Sequence, residues 1–226
     1  MPALTPEVNT LLFDHDGTLI NSEKAHYEMW VEVLARYDVE LSEAYYTDVM
    51  AGVPTSQNAI DVIEHFDLDV TPQALEAEKL VLVKALLNKG AFPLMPFAKE
   101  TVEYLHNQGF TLAIVTGGSK SSVQKTIETY GFSEFISAVV AVEDVKQSKP
   151  APECYLKAMT LLGKTSQECI AIEDTHHGMQ AAVAAGVKCV AIPTEHSAGH
   201  DFSKATVIYN SLQHWLSVES PQVNGI

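Results

Sequence analysis

Basic residues are scarce in this chain: 14 lysines and arginines face 29 aspartates and glutamates, a formal net charge of −15. Nucleic acid and anionic membrane surfaces both need a positive footprint, so neither is expected as a partner. Cysteine is scarce too. Cys154, Cys169 and Cys189 are odd in number and form no CxxC pair. Buried thiols are the better reading, above all for Cys169 and Cys189, which sit in apolar, strand-like runs. No apolar run approaches membrane-spanning length, and no basic segment followed by an apolar one opens the chain. A reducing cytoplasm is the expected setting. Compositional signs of disorder are confined to residues 1–7 and 220–226, where Pro, Asn and Gly gather.

What is present is ample apolar material, 46% hydrophobic against 19% charged over 226 residues. That suffices for one generous α/β domain, or a core domain carrying a smaller insert. Short Val- and Ile-rich runs at 10–13, 110–115, 138–142, 169–172 and 188–192 do not alternate. They read as strands buried on both faces of a parallel sheet. Helical stretches at 96–106, 119–130, 152–162 and 178–185 stop near Gly109, Gly131, Gly163 and Gly186. Strand and helix thus alternate from residue 96 onward, the pattern of a Rossmann-like doubly wound α/β sheet. Residues 22–89 break the alternation with helices at 22–37, 42–50, 55–66 and 71–88. They read as an inserted α-helical cap over 21–90, on a core of 1–20 and 91–226.

The polar residues fall at strand ends. Asp14 and Asp16 follow the first strand, Thr116-Gly117-Gly118-Ser119 the second, and Glu173-Asp174 a later one. Ligands of open α/β sheets bind at the carboxyl ends of strands, so these groups converge on one crevice. Lys149, in Lys149-Pro150-Ala151-Pro152, precedes a helix and can reach the same place. Asp14, Asp16 and Asp174 offer hard oxygen ligands that suit Mg²⁺. Thr116 has a hydroxyl, Gly117 and Gly118 expose backbone N–H groups at a helix start, and Lys149 adds a point charge. Together they form a seat for phosphate. With the chain so acidic, a phosphorylated substrate needs such a metal and such cations. Asp14 is placed to attack phosphorus and Asp16 to move protons, help typically worth ~10²–10⁴-fold.

Taken singly, each piece has an ordinary reading: a turn, a helix-entry loop, a solvated lysine, a helix cap for Glu173-Asp174. Their joint occurrence, in this order and at successive strand ends, is what points to a site.

These residues resemble the haloacid dehalogenase superfamily, of the kind with a helical cap after the first strand. The likeness spans residues 8–215 and rests on four motifs: Phe13-Asp14-His15-Asp16-Gly17-Thr18-Leu19, Ile114-Val115-Thr116-Gly117-Gly118, Ser148-Lys149-Pro150-Ala151-Pro152-Glu153, and the stretch from Ile172 to Ala182. The resemblance implies that Asp14 is the nucleophile and Asp16 the acid and base. It implies Mg²⁺ on Asp14, the Asp16 backbone carbonyl and Asp174, with Glu173 on the metal or just behind it. It assigns phosphate to Thr116, the Gly117 N–H and Lys149. Dehalogenases of this family lack the second aspartate and phosphonatases use a differently built first motif, so both activities fall away.

The resemblance is nearest to β-phosphoglucomutases and related sugar and polyol phosphatases. Mutases carry a cap arginine for a second phosphate, and the loop Ala51-Gly52-Val53-Pro54-Thr55-Ser56 has none. They also often have Val where Thr18 stands. Hydrolysis of a small phosphorylated metabolite, a sugar or polyol phosphate, is therefore expected. The alternatives are a phosphomutase and a phospho-ligand module without turnover. Gly52, Val53, Thr55 and His26 are candidate substrate contacts. His26 also has the spacing of a mutase histidine that assists the acid/base aspartate, or it packs under the cap. His15 sits at a variable position. His176, His177, His196 and His200 read as water-exposed, and Met29, Trp30 and Val33 as packing. A monomer or weak homodimer is expected.

Overall fold

The computed structural model describes residues 4–220. The expectation for residues 1–3 and 221–226 lies outside that range. Of residues 4–7, expected to be loose, Leu4 is held, while Pro6 and Glu7 are exposed. Leu4 packs on the core, and its N–H donates to Glu219 Oε2 at 2.7 Å.

Six parallel strands form one sheet in the order β3-β2-β1-β4-β5-β6. They are β1 (Thr10–Phe13), β2 (Thr111–Val115), β3 (Ile136–Val140), β4 (Cys169–Glu173), β5 (Lys188–Ala191) and β6 (Val207–Ile208). Successive side chains of a strand face opposite ways, so two cores arise. Leu11, Phe13, Leu112 and Ile114 face one side, under α5 (Ala98–Asn107), α6 (Lys120–Tyr130) and α9 (Leu212–Glu219). Leu12, Ala113, Val115 and Ala171 face the other, under α7 (Glu153–Leu162) and α8 (His176–Ala184). This explains why the strand sequences do not alternate. All three cysteines are buried and unpaired.

The expected strands stand, with shifts of a residue or two at their ends. β3 lies two residues earlier than predicted, because its ladder with β2 ends at the Val115–Val140 pair. The chain then turns at Val142–Asp144, where Asp144 Oδ2 accepts the Ala141 N–H at 3.1 Å. β6 and α9 were not anticipated, since two edge residues make no recognisable run.

Between β1 and α5 lie α1 (Glu23–Ala35), α2 (Glu43–Tyr45), α3 (Thr55–Phe66) and α4 (Pro72–Lys89). They bury a cluster of their own around Trp30, Val33, Leu34, Met50, Val62 and Leu75. The helix expected over 42–50 is regular only to Tyr45. It then widens into a π-helical turn at Tyr46–Met50, a distortion often found at functional sites. The two connections to the sheet run side by side. Ile20 and Leu94 form an antiparallel bridge, and Asn21 N–H donates to Pro93 O at 2.7 Å.

Candidate active site

In this strand order, β1 and β4 are neighbours whose onward connections leave in opposite directions, and the crevice beyond their carboxyl ends is the natural binding place. Asp14 is the first residue after β1. Its N–H still donates to Ile172 O of β4 at 2.9 Å, so the sheet holds its carboxylate. The next residues turn back sharply, Leu19 and Ile20 both donating to His15 O. Gly17 makes this possible at φ +76°, and a Cβ there would stand 2.0 Å from Asp174 Oδ2.

Lys149 joins three strand ends. Its Nζ lies 2.6 Å from Asp14 Oδ1, 2.6 Å from Glu173 Oε1 and 2.9 Å from Val115 O. Burial opposes its charge, yet Asp14 and Glu173 lift its pKa above the usual lysine value. Tyr155 Oη donates to the same Glu173 oxygen.

Asp14, Glu173 and Asp174 form a buried acidic group whose ligand atoms all lie within 4.8 Å of one another. Burial raises the pKa of each. The charge of Asp16 adds to the effect at Asp14, that of Asp14 at Glu173, and those of Asp14 and Glu173 at Asp174. Three carboxylates against one lysine leave negative charge uncompensated. Asp174 Oδ1 and Glu173 Oε2 are buried with no hydrogen-bond partner among the described residues. Orphaned, hard oxygen atoms in such a cluster fit a divalent cation of the Mg²⁺ kind.

Of the three aspartates expected at a metal, the Asp16 carboxylate does not join this group; Glu173 does. Asp16 turns toward Ser22, whose Oγ donates to Oδ1 at 2.6 Å. His15 Nδ1 and His26 Nε2 approach its carboxylate at 3.6 and 3.8 Å. Burial alone would raise the Asp16 pKa, but the two imidazoles hold it well below the carboxylate range. Its side chain is 24% exposed, open enough to meet a ligand. The resemblance assigns a cation the Asp16 backbone carbonyl rather than this carboxylate. His15, unreadable in the sequence, is wholly buried and tied by Nε2 to Thr126 Oγ1 of α6 at 3.0 Å.

Thr116 Oγ1 accepts the Gly118 N–H at 2.8 Å, and Ser119 caps α6 by accepting from Ser122 N. A Cβ on Gly118 would sit 2.7 Å from Asp16 Oδ2, so the β2–α6 loop lies against the Asp16 carboxylate. Asp14, Asp16, Thr116, Gly117 and Lys149 line one cavity of about 130 Å³. A second hollow of about 770 Å³, behind α1, shares only Glu23 with it. Size alone does not mark the chemistry.

The remaining wall comes from the insert. Gly52, Val53, Thr55 and His26, the candidate substrate contacts, line it together with Trp30, read as packing alone. Lys79 was missed. It is 1% exposed, 2.9 Å from His26 Nδ1 and 5.5 Å above the Trp30 ring. Burial pulls its pKa down to about 8, against the charges of Glu23 and Asp16. A signal existed: Lys79 follows Leu75 by one helical turn, on the face α4 buries. Glu23, Ser22, Tyr46 and Tyr155 were also missed and carry no comparable signal.

His177 lines the cavity. The four histidines read as water-exposed are only half-buried. His200 Nδ1 accepts the His176 N–H, and His196 lies edge-on to Tyr46.

Comparison with known proteins accords with this geometry. The profile of the haloacid dehalogenase-like hydrolase family matches residues 11–192. A fructose-1-phosphate phosphatase of Escherichia coli is 33% identical over 180 residues, spanning 80% of this chain and 94% of that protein. A pyrophosphatase of Halalkalibacterium halodurans is 33% identical over 195 residues, spanning 82% and 84%. The crystal structure of CbbY from Rhodobacter sphaeroides with phosphate shares the fold, at TM-score 0.81 and 23% identity, covering 91% of this chain and 95% of that one. With most of its length matched, and with acids and lysine gathered at the strand ends, the chain belongs to the haloacid dehalogenase-like hydrolase family.

Proposed function

We propose that this hydrolase is a cytoplasmic, Mg²⁺-dependent phosphatase of a small phosphorylated metabolite, a sugar or polyol phosphate, working through an aspartyl-phosphate. The observation that carries this reading is the meeting of Asp14, Lys149 and the orphaned Asp174 oxygen in one buried group. The acid–lysine geometry suits transfer of a phosphoryl group, where positioning and charge neutralisation do most of the catalysis.

An Asp14 carboxylate oxygen attacks phosphorus and the bond to the leaving oxygen breaks. The negative charge of the bound phosphate favours protonation of Asp16 against the pull of His15 and His26; Asp16 then gives that oxygen its proton and the alcohol departs. Asp16, now a carboxylate, takes a proton from water, which attacks phosphorus and frees inorganic phosphate and Asp14. Thr116, the Gly117 N–H and Lys149 bind the phosphoryl oxygens. Mg²⁺ would be held by Asp14, Asp174 and the Asp16 carbonyl, with Glu173 behind, and would neutralise charge on the transferring group. The helical insert, 21–90, closes over the core of 1–20 and 91–226 to exclude water.

The named activity of the Escherichia coli relative suits a sugar phosphate. Against a phosphomutase stands the lack of a cap arginine for a second phosphate, although Lys79 puts one ammonium group in that wall. The single arginine, Arg36, is bonded to Glu32 and Glu78 on the surface. Phosphate release from p-nitrophenyl phosphate, with and without Mg²⁺, tests the proposal. Metal-independent turnover, or full activity in Asp14→Asn, overturns it.

A further inference from the structure

The insert's side of the cavity holds a carboxylate that the proposed reaction does not use. Glu23 opens α1 and is 8% exposed. Its Oε2 accepts a 2.6 Å hydrogen bond from Tyr46 Oη, and both side chains line the cavity that contains Asp14 and Asp16. A buried carboxylate is costly unless it is hydrogen-bonded or paired. Tyr46 occupies one oxygen, and the charge of Glu23 is felt at Lys79. Tyr46 sits in the π-helical turn, so the backbone distortion and the placement of Glu23 belong together.

The insert's wall carries one charge of each sign. Lys79 is the only lysine or arginine that the insert contributes to it, against Glu23, with Asp16 facing them from the core. A leaving group rich in hydroxyls finds an acceptor in Glu23 and a donor in Lys79. A leaving group bearing its own carboxylate or phosphate meets the charge of the buried Glu23, where like charges repel more strongly than in water.

We infer that Glu23 is a specificity-determining residue: it selects neutral, hydroxyl-bearing leaving groups and excludes those with a second anionic group. The inference rests on the phosphatase reading above. It adds a repulsive element that discriminates among substrates sharing the same phosphoryl end.

The test uses the full chain with Mg²⁺ and a pair of substrates that differ in one group, glycerol 3-phosphate and 3-phosphoglycerate. The ratio of their kcat/KM values, measured on one preparation, cancels the fraction of folded enzyme. Wild type should favour glycerol 3-phosphate by about tenfold or more, and Glu23→Gln, which keeps an acceptor for Tyr46, should lower that ratio at least about tenfold. Lys79→Met removes the opposing cation and should raise the ratio, which keeps the test alive if Glu23→Gln does not fold. Ratios unmoved in both variants, while wild type hydrolyses p-nitrophenyl phosphate, overturn the inference alone. Wild type inactive on every ester, p-nitrophenyl phosphate included, overturns the phosphatase reading and this inference with it.

Discussion

The two walls of the cavity are built by different means. On the core side, Asp14, Thr116 and Asp174 each stand within a residue of a strand's last position, and Lys149, from the loop before α7, bonds Asp14, Val115 and Glu173 at the ends of the same three strands. On the insert side, Glu23, Tyr46 and Lys79 come from three separate helical segments. Lys79 reaches His26 across 53 positions of sequence. The core wall is fixed by the sheet and carries three acids against one lysine. The insert wall carries one carboxylate and one lysine, held by a tyrosine and an imidazole. On the proposed reading, chemistry and selectivity are separated: phosphoryl groups are handled on the wall the sheet fixes, and leaving groups are chosen by the charge pattern on the other.

The comparison breaks at once if the core wall does not perform the chemistry. Asp14→Asn should cut turnover of p-nitrophenyl phosphate by about 10⁴-fold or more, as loss of a nucleophile does, in a steady-state assay with saturating Mg²⁺. Asp174→Asn is the next largest. A cation present at a hundred times its Kd stabilises the fold by about 2.7 kcal/mol, and this variant should lose most of that gain. Melting curves with and without Mg²⁺ measure it, and without the metal the variant should melt no lower than wild type, since one repelling charge has gone.

A smaller effect sharpens the insert side. Lys79 titrates near 8 in the fold against the usual 10.5, so between those pH values the unfolded chain binds more protons and stability rises with pH. At about 1.36 kcal/mol per pH unit the rise totals on the order of 3 kcal/mol. Denaturant unfolding at pH 7.5 and 10 should show it in wild type and not in Lys79→Met. Glu23, Asp16 and His26 face the ammonium group, so the variant also reports on them. Smallest of all, Arg36→Ala removes exposed pairs with Glu32 and Glu78. It should cost under about 1 kcal/mol and leave turnover unchanged.

Much of the core was legible because the signals there are local. Buried parallel strands write themselves as unbroken Val and Ile runs, and a polar residue directly after such a run stands at the sheet's carboxyl edge. Thr10–Phe13 and the turn at Asp14 needed nothing more. β6 and α9 were illegible for the opposite reason: Val207–Ile208 is too short for any pattern and exists because β5 offers an edge to pair with. Among the site residues, Asp16 was legible as a carboxylate beside Asp14 but not in its direction. Ser22, His15 and His26 decide that direction, and they come from a turn, a variable motif position and a helix face.

The sequence by itself determined the layered α/β plan, the helical insert and the acids and lysine at the strand ends, because hydrophobic period and strand-end position are properties of neighbouring residues. Only the tertiary structure decided that Glu173 rather than the Asp16 carboxylate completes the acidic group, and that Glu23, Tyr46 and Lys79 face it across the cavity. Burial and the distances between charges depend on which segments fold against one another, and no local pattern encodes that.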